Sequence, residues 1–306
     1  MKRAIAVCGL LVAGCSTAAA AGDQVLRAAE AKALLARMSR WGCQLQNVDP
    51  AAIATTDLDL VVIEPMVDAA ANSSLGRERI AAMQRKPDGS RRLVIAYLSV
   101  GEAGDYRPYW RGNWRERPAE WLGSPNPKWP GAYGVRFWHP AWQQIVFDAP
   151  DSLLSRIIDA GFDGVSLDRV DAYSDWEGER RTAADDMVDM VARLAAKARA
   201  TRPGFLVVAQ NSEGLLPIRR YRAAIDAVSK ESLLFGRNGP GVPNTPEQIA
   251  WSLHFLTPAR RAGKPVLAIE YLDDPAQMAA ARQRLAGLGF IPFFGNRLLD
   301  RLPAGF

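Results

Sequence analysis

The stretch Gly161-Phe162-Asp163-Gly164-Val165-Ser166-Leu167-Asp168-Arg169-Val170-Asp171-Ala172-Tyr173 decides how the chain is read. A short apolar run, Gly164 to Leu167, ends abruptly in Asp168, and Asp171 follows three residues later. The pattern recurs along the sequence. Leu60-Val61-Val62-Ile63 ends in Glu64, Leu93 to Val100 leads to Glu102, Ala227 to Lys230 leads to Glu231, and Val266 to Ile269 ends in Glu270. Short apolar runs with little alternation are expected of parallel strands covered on both faces. Carboxylates at the C-terminal ends of several such strands fit an α/β barrel, which gathers its reacting groups at that face. Many carboxylates on one rim suit acid/base chemistry on a neutral or cationic substrate.

Outward from this stretch, strands and helices alternate. Strands are expected near 42–46, 59–64, 93–99, 163–168, 205–210, 226–230, 265–270 and 290–294, and helices near 76–84, 140–159, 182–200, 213–222, 245–261 and 275–287. Helix stops agree: Gly161 follows Ala160, Pro203-Gly204 follows Thr201, and Gly263 precedes Pro265. Eight strands with intervening helices predict a single-domain (β/α)8 TIM barrel. A doubly wound open sheet is the runner-up, weakened because no GxGxxG stretch follows the first strand. Little of the sequence remains beyond the eighth strand. The helix-forming stretch 24–39 is therefore expected as an extra N-terminal helix over the flank that an eighth helix would cover. The longest connection, from Val100 to about Ala141, holds Trp110, Trp114, Trp121, Trp129 and Trp138, with Trp142 just beyond. So many indoles are costly to leave in water, and the loop is expected to pack on itself or form a platform.

A chain of 306 residues, 48% hydrophobic, can build one large barrel. Its formal charge of +5, with no dense Lys/Arg run interleaved with aromatics, excludes nucleic acid as an expected partner. Met1-Lys2-Arg3 followed by the apolar stretch Ala4 to Ala13 reads as an export signal, too short to span a bilayer. Val12-Ala13-Gly14-Cys15 resembles a bacterial lipoprotein cleavage box. The expected division is a signal over 1–14, a tether over 15–23 beginning at a lipidated Cys15, and the barrel domain over 24–306. Ordinary cleavage near Ala20-Ala21 is the alternative. The expected location is accordingly the outer membrane, as a lipoprotein, or the periplasm or exterior, with membrane contact only through the lipid anchor. If Cys8 leaves with the signal and Cys15 carries lipid, Cys43 has no disulfide partner. His139 and His254 lie far apart in sequence, so no metal or other cofactor is expected, and the chain is expected to be a monomer.

The ordered blocks carry a resemblance. Tyr97-Leu98-Ser99-Val100-Gly101-Glu102, with Asp105, Tyr106, Arg107 and Trp110 behind it, resembles a block of the glycoside hydrolase 114 family of endo-α-1,4-polygalactosaminidases and relatives. So does the opening stretch through Asp168, Asp171 and Tyr173. Gln210-Asn211, the segment Val228 to Gly236 around Glu231, and Val266 to Tyr271 resemble three further blocks, and the similarity spans about residues 41–296. The resemblance implies a barrel in which Asp168, after the fourth strand, is the nucleophile. It implies that the partner acid after the sixth strand is Glu231. Glycoside cleavage needs two such carboxyl groups flanking the bond. Glu213 competes for the acid role, although Gly214 stands where a second acidic residue is expected. Glu102, Asp105, Asp171 and Glu270 are candidate partners for amino or hydroxyl groups. Tyr97, Tyr106, Tyr173, Tyr271 and Trp110 are candidates for stacking or hydrogen bonding, with Asn211 and Glu213 alongside. Each has a plainer reading as an ion pair with Arg107, Arg136 or Arg169, or as loop packing. The expected substrate is an α-1,4-linked galactosamine-type exopolysaccharide, such as that of a biofilm. The competing functions are a non-catalytic polysaccharide-binding lipoprotein and a hydrolase of neutral α-galactosides.

Overall fold

The computed structural model describes residues 26–68 and 73–303; the signal, Cys15 and the tether expected from the sequence lie outside the described residues. Eight parallel strands follow one another around a sheet in chain order: β1 (Trp41–Gln44), β2 (Leu60–Ile63), β3 (Leu93–Ser99), β4 (Gly164–Asp168), β5 (Leu206–Gln210), β6 (Ala227–Glu231), β7 (Val266–Glu270) and β8 (Ile291–Phe294). The register sets Tyr97 opposite Ser166 and Ser99 opposite Asp168 between β3 and β4. It sets Gln210 opposite Ser229 between β5 and β6. A doubly wound sheet would reverse its strand order partway, and this one does not. At the seam between β8 and β1, Trp41 Nε1 donates to the Ile291 carbonyl at 2.8 Å. The Trp41 and Phe293 rings lie 5.5 Å apart. The fold is a nearly closed (β/α)8 barrel.

Side chains alternate across the wall, as a period of two dictates. Trp41, Cys43, Leu60, Val62, Leu93, Ile95, Leu206, Val208, Leu267, Ile269 and Phe293 fill the interior. Their neighbours Val61, Val94, Val165, Leu167, Val207, Val228, Val266 and Ala268 face the surrounding helices. Those helices are α2 (Pro50–Ala54), α3 (Arg77–Met83), α4 (Leu153–Asp159), α5 (Ala183–Thr201), α6 (Arg219–Ala224), α7 (Pro246–Arg261) and α8 (Pro275–Gly287), preceded in the chain by α1 (Ala28–Arg37). Three of them begin with a capping residue followed by proline. Asp49, Thr245 and Asp274 each accept from backbone N–H groups of the first turn. Such a cap contributes about 1 kcal/mol, and the proline loses nothing at a position whose N–H has no helical partner.

Three elements differ from expectation. The stretch 213–222 is not one helix: a 3-10 turn at Glu213–Leu215 is separated by Pro217 from α6 (Arg219–Ala224), since proline cannot continue the helical hydrogen bonding. The stretch 140–159 is not one helix. A turn at Pro140–Gln143 runs into a π-helical turn, the chain breaks around Pro150, and α4 restarts after Ser152, whose hydroxyl accepts from Ser155 N at 3.3 Å. Proline cannot donate the missing hydrogen bond, which explains the break. The N-terminal helix is also elsewhere. Ala31 and Leu35 of α1, with Met38 behind them, join the interior cluster of the barrel. A Cβ added to Gly204, just before β5, would meet the Leu26 carbonyl at 2.1 Å. The helix therefore closes the N-terminal mouth of the barrel instead of lying on its flank. That flank is covered by the segment 296–302. Leu45 N and Gln46 N both donate to the Leu299 carbonyl, at 2.8 and 3.2 Å. Leu302 Cδ2 would lie 2.9 Å from a Cβ at Gly42.

The tryptophan-rich connection packs on itself. It builds a three-stranded antiparallel sheet from Glu102–Gly104, Leu122–Pro125 and Ala132–Val135, the last in the middle. Trp114, Trp121 and Trp142 are buried in a chain of ring contacts at 5.0 and 4.9 Å. Trp142 Nε1 donates to the Val100 carbonyl at 2.8 Å, which ties this core to the end of β3.

Candidate active site

The same alternation delivers a polar layer at the C-terminal mouth. Continuing the interior series of each strand by two residues gives Tyr97 on β3, Asp168 on β4, Gln210 on β5, Glu231 on β6 and Tyr271 just beyond β7. Asp168 accepts from Tyr97 Oη at 2.7 Å and from Gln210 Nε2 at 3.3 Å. Glu231 accepts from Asn211 Nδ2 at 3.0 Å and from the Tyr271 hydroxyl. Asn211 Oδ1 in turn accepts from Glu231 N at 3.1 Å. The two carboxylates thus flank the end of β5, and two consecutive residues there hold one each.

The chain bends sharply at these points. Arg169, Asn211 and Ser232, each directly after a strand, take positive φ values of 58°, 51° and 51°. A left-handed non-glycine residue costs about 1–2 kcal/mol, and strain of this kind persists where the surroundings hold it. Burial pushes the Glu231 carboxyl above its usual range, and the nearby Asp168 charge adds to the rise, against the donors from Tyr271 and Asn211. Inside the barrel, burial raises the Cys43 thiol well above its ordinary value, with the Glu231 and Asp168 charges adding to it. A thiol so placed is an inert core residue.

Most of the other rim carboxylates are held by cations. Arg169 reaches Glu102 at 3.0 Å, Asp171 at 3.3 Å and Asp175 at 2.5 Å. Asn126 also donates to Glu102, at 2.8 Å. Arg115 pairs with Asp105 at 2.6 Å. Arg107 grips Glu64 through two bonds of 2.6 and 2.8 Å. Asp171 stays near the pair. Its carboxyl is raised to about 6 by burial, against Arg169 and with Asp168. Tyr106 is 57% exposed beside a cavity that also borders Tyr97, Glu102 and Arg107. Trp110 packs within the loop core against Tyr133 at 4.8 Å and Trp114 at 5.5 Å. Tyr173 is half-buried, and its hydroxyl lies 2.6 Å from where a Cβ at position 214 would stand, so Gly214 makes room for it.

Two candidates are out of reach of a substrate. Glu270 continues the outward series Val266, Ala268. It is fully buried, with its oxygens accepting from Leu234 N at 2.7 Å and Phe235 N at 3.2 Å. Its task is to hold the loop after β6. Glu213 is 1% exposed and takes Lys230 Nζ at 2.7 Å and Ser252 Oγ at 2.8 Å. Lys230 also points outward from β6, so this pair lies behind the wall. Burial opposes ionisation of Glu213, but the Lys230 charge and hydrogen bonds prevail and hold its carboxyl below the usual range. That is the wrong direction for a proton donor.

Burial raises the Glu270 carboxyl to about 7, against its backbone donors. The folded state then holds this proton to higher pH than the unfolded chain, whose value is near 4.5. The sign follows from linkage: the contribution is complete below the unfolded value and is lost as pH rises through about 7. Urea midpoints measured across that window should fall for the native protein, and Glu270→Gln should flatten the slope. Equal slopes in both proteins would contradict this assignment.

Sequence reasoning passed over Gln210 as an individual ligand of Asp168, although the spacing Leu206, Val208, Gln210 marks it. It gave no hint of Arg297. The Arg297 guanidinium lies over the Trp129 ring at 5.2 Å and over the Tyr271 ring at 5.0 Å. Among the described residues, no group of three or more His, Cys, Asp or Glu is placed to hold a metal ion, and no helix is long and apolar enough to cross a membrane.

A (β/α)8 barrel with two carboxylates flanking one strand end at its C-terminal mouth has the layout of a glycoside hydrolase. The model of glycoside-hydrolase family GH114 matches residues 22–302, and the chain belongs to that family. It is a glycoside hydrolase. An uncharacterized protein of Deinococcus radiodurans is 36% identical over 275 residues, covering 89% of this chain and 84% of the relative. An uncharacterized protein of Methanocaldococcus jannaschii is 33% identical over 279 residues, covering 86% and 77%. Among solved structures, the glycoside hydrolase domain of PelA from Pseudomonas aeruginosa superposes with a TM-score of 0.66 at 24% identity, covering 87% of this chain and 98% of that domain. At that identity the likeness establishes the shared fold.

Proposed function

We propose that the protein is an exported, lipid-anchored, endo-acting hydrolase of α-1,4-linked galactosamine-type exopolysaccharide, with Asp168 as nucleophile and Glu231 as acid/base. One observation carries the assignment: the two carboxylates flank the end of β5, and burial together with the Asp168 charge favours the protonated form of Glu231. In the first step an Asp168 oxygen bonds to the anomeric carbon as the glycosidic bond breaks, and the Glu231 proton passes to the departing oxygen. In the second, water attacks the same carbon, its proton goes to Glu231, and the bond to Asp168 breaks. The Tyr271 hydroxyl can donate to ionised Glu231 and rotate to accept from the protonated form, so it serves both steps.

The experiment is incubation of residues 22–306 with partly deacetylated galactosaminogalactan, followed by mass spectrometry of the products. Oligosaccharides of several lengths are expected early in the reaction, as an endo-acting enzyme gives. Tight binding without any new reducing ends would favour the non-catalytic reading. Cleavage confined to neutral α-galactosides would replace the substrate.

A further inference from the structure

We propose that one half of the barrel's N-terminal rim, around Lys32, Arg261 and Arg284, docks on the anionic phospholipid surface to which the tether ties the protein, and so points the catalytic mouth away from the membrane. The inference goes beyond the cleavage reaction and rests only on the lipid-anchored part of the reading above.

Charge is unevenly placed around this rim. The segments that enter β5 to β8, over 199–205, 222–226, 260–265 and 284–290, hold seven Lys and Arg against one acid, Asp226. Arg199 pairs with Asp226 at 2.7 Å. The corresponding segments that enter β2 to β4, over 55–59, 84–92 and 159–163, hold four Lys and Arg against five Asp. Cations at helix C-termini complement the helix dipole, but that need is common to both halves and leaves the imbalance unexplained. Helix α1 adds Lys32 to the basic half. Burial pushes the Lys264 ammonium below its ordinary value, and the Lys32, Arg199 and Arg222 charges press the same way, against Asp226. These cations therefore stand within electrostatic reach of one another. Lys32, Arg261 and Arg284 are exposed, and among the described residues none of the three makes an ion pair.

The chain enters the folded body on the same side. The Leu26 carbonyl packs at Gly204, within the segment that leads into β5, where an added Cβ would lie 2.1 Å from it. The stretch from Cys15 to Leu26 reaches at most about 40 Å when fully extended. A lipid at Cys15 therefore holds this half of the rim beside the bilayer at high effective concentration. The tether alone would let the body tumble. Attraction between phosphate headgroups and the basic half selects one face, and relieves the repulsion among its cations. The opposite mouth, with Asp168 and Glu231, then faces away from the bilayer, where a polymer can enter.

The test is sedimentation of the chain from residue 16, which carries no lipid, with phosphatidylcholine vesicles made with and without roughly one third phosphatidylglycerol. The native chain should bind the anionic vesicles, ignore the neutral ones, and be released as salt rises. Lys32→Ala, Arg261→Ala and Arg284→Ala together should weaken binding roughly 10²-fold, at about fivefold for each cation near such a surface. Lys128 and Arg117 are exposed on the tryptophan-rich connection at the other end. Their joint replacement by alanine should change binding by less than about twofold, since screening confines the attraction to the near face. Arg261→Lys with Arg284→Lys, which keeps both charges, should bind as the native chain does. No binding to anionic vesicles overturns the proposal, and so does a loss per charge at Lys128 and Arg117 equal to that at the basic half. Binding to heparin through Lys32, Arg261 and Arg284, with none to vesicles, would assign the face to a soluble polyanion and overturn the membrane assignment. Lipidation of Cys15 is read separately, from the mass of the protein recovered from membranes. An absent lipid removes the anchor, and vesicle binding still decides the face.

Discussion

Asp168→Asn is expected to lower turnover by about 10⁴-fold or more, as loss of a nucleophile does elsewhere, while leaving the fold intact. The amide is close to isosteric, and the Tyr97 and Gln210 donors that hold Asp168 come from two different strands. Glu231→Gln is expected to cost less, about 10²–10⁴-fold, the usual contribution of general acid–base catalysis. The two should also differ in pH dependence. Burial raises the Glu231 carboxyl, so activity requiring its proton persists above the ordinary carboxylate range and falls as pH rises through the raised value. That alkaline limb should vanish in Glu231→Gln when a substrate with a good leaving group restores measurable rates. Normal turnover by Asp168→Asn would remove the assigned nucleophile, and an unaltered alkaline limb in Glu231→Gln would remove the assigned acid.

Leu35→Ala should give the largest loss of stability in the N-terminal helix, about 2–5 kcal/mol, the range for emptying a buried leucine site. Leu35 is 3% exposed and belongs to the interior cluster with Trp41, Leu60, Leu93 and Leu206. The neighbouring exposed Lys32 offers the control, since Lys32→Ala should stay within about 0.5 kcal/mol. Leu35 lies at the end of the barrel remote from Asp168 and Glu231, so kcat should be unaffected below the melting transition. A Leu35→Ala protein with native melting would show that α1 does not close the barrel. A fall in kcat at low temperature would show that the two mouths are coupled.

The barrel was legible because its strands are short apolar runs that end in polar residues, and a chain with that rhythm has few packings open to it. Asp168 and Glu231 end such runs, as Glu64, Glu102 and Glu270 also do, and it was the family resemblance that singled out the pair. The fate of the next residues was less visible. Glu270 read as a rim group because the strand pattern shows where a strand ends; which face its final residue takes depends on a count of two that the eye passes over, while Glu213 lies in a turn beyond β5 whose direction the strand pattern does not carry. The arginine partners were harder still. Arg107 meets Glu64 and Arg169 meets Glu102 across long intervals of chain, and composition alone assigns no pairs. The amphipathic pattern of α1 announced a buried face without saying which part of the barrel it meets. Pro150 was in plain view, and the apolar spacing around it masked the break it makes.

Lys230 and Glu231 are neighbours on one strand, and so are Glu270 and Tyr271 around the end of the next. A deletion of one residue within β6 would turn an ammonium toward the sugar and hide the acid behind the sheet, with no change in composition worth noticing. Variation in length within this lineage should therefore gather in the tryptophan-rich excursion and the turns, while the spacing inside each strand stays fixed to the residue.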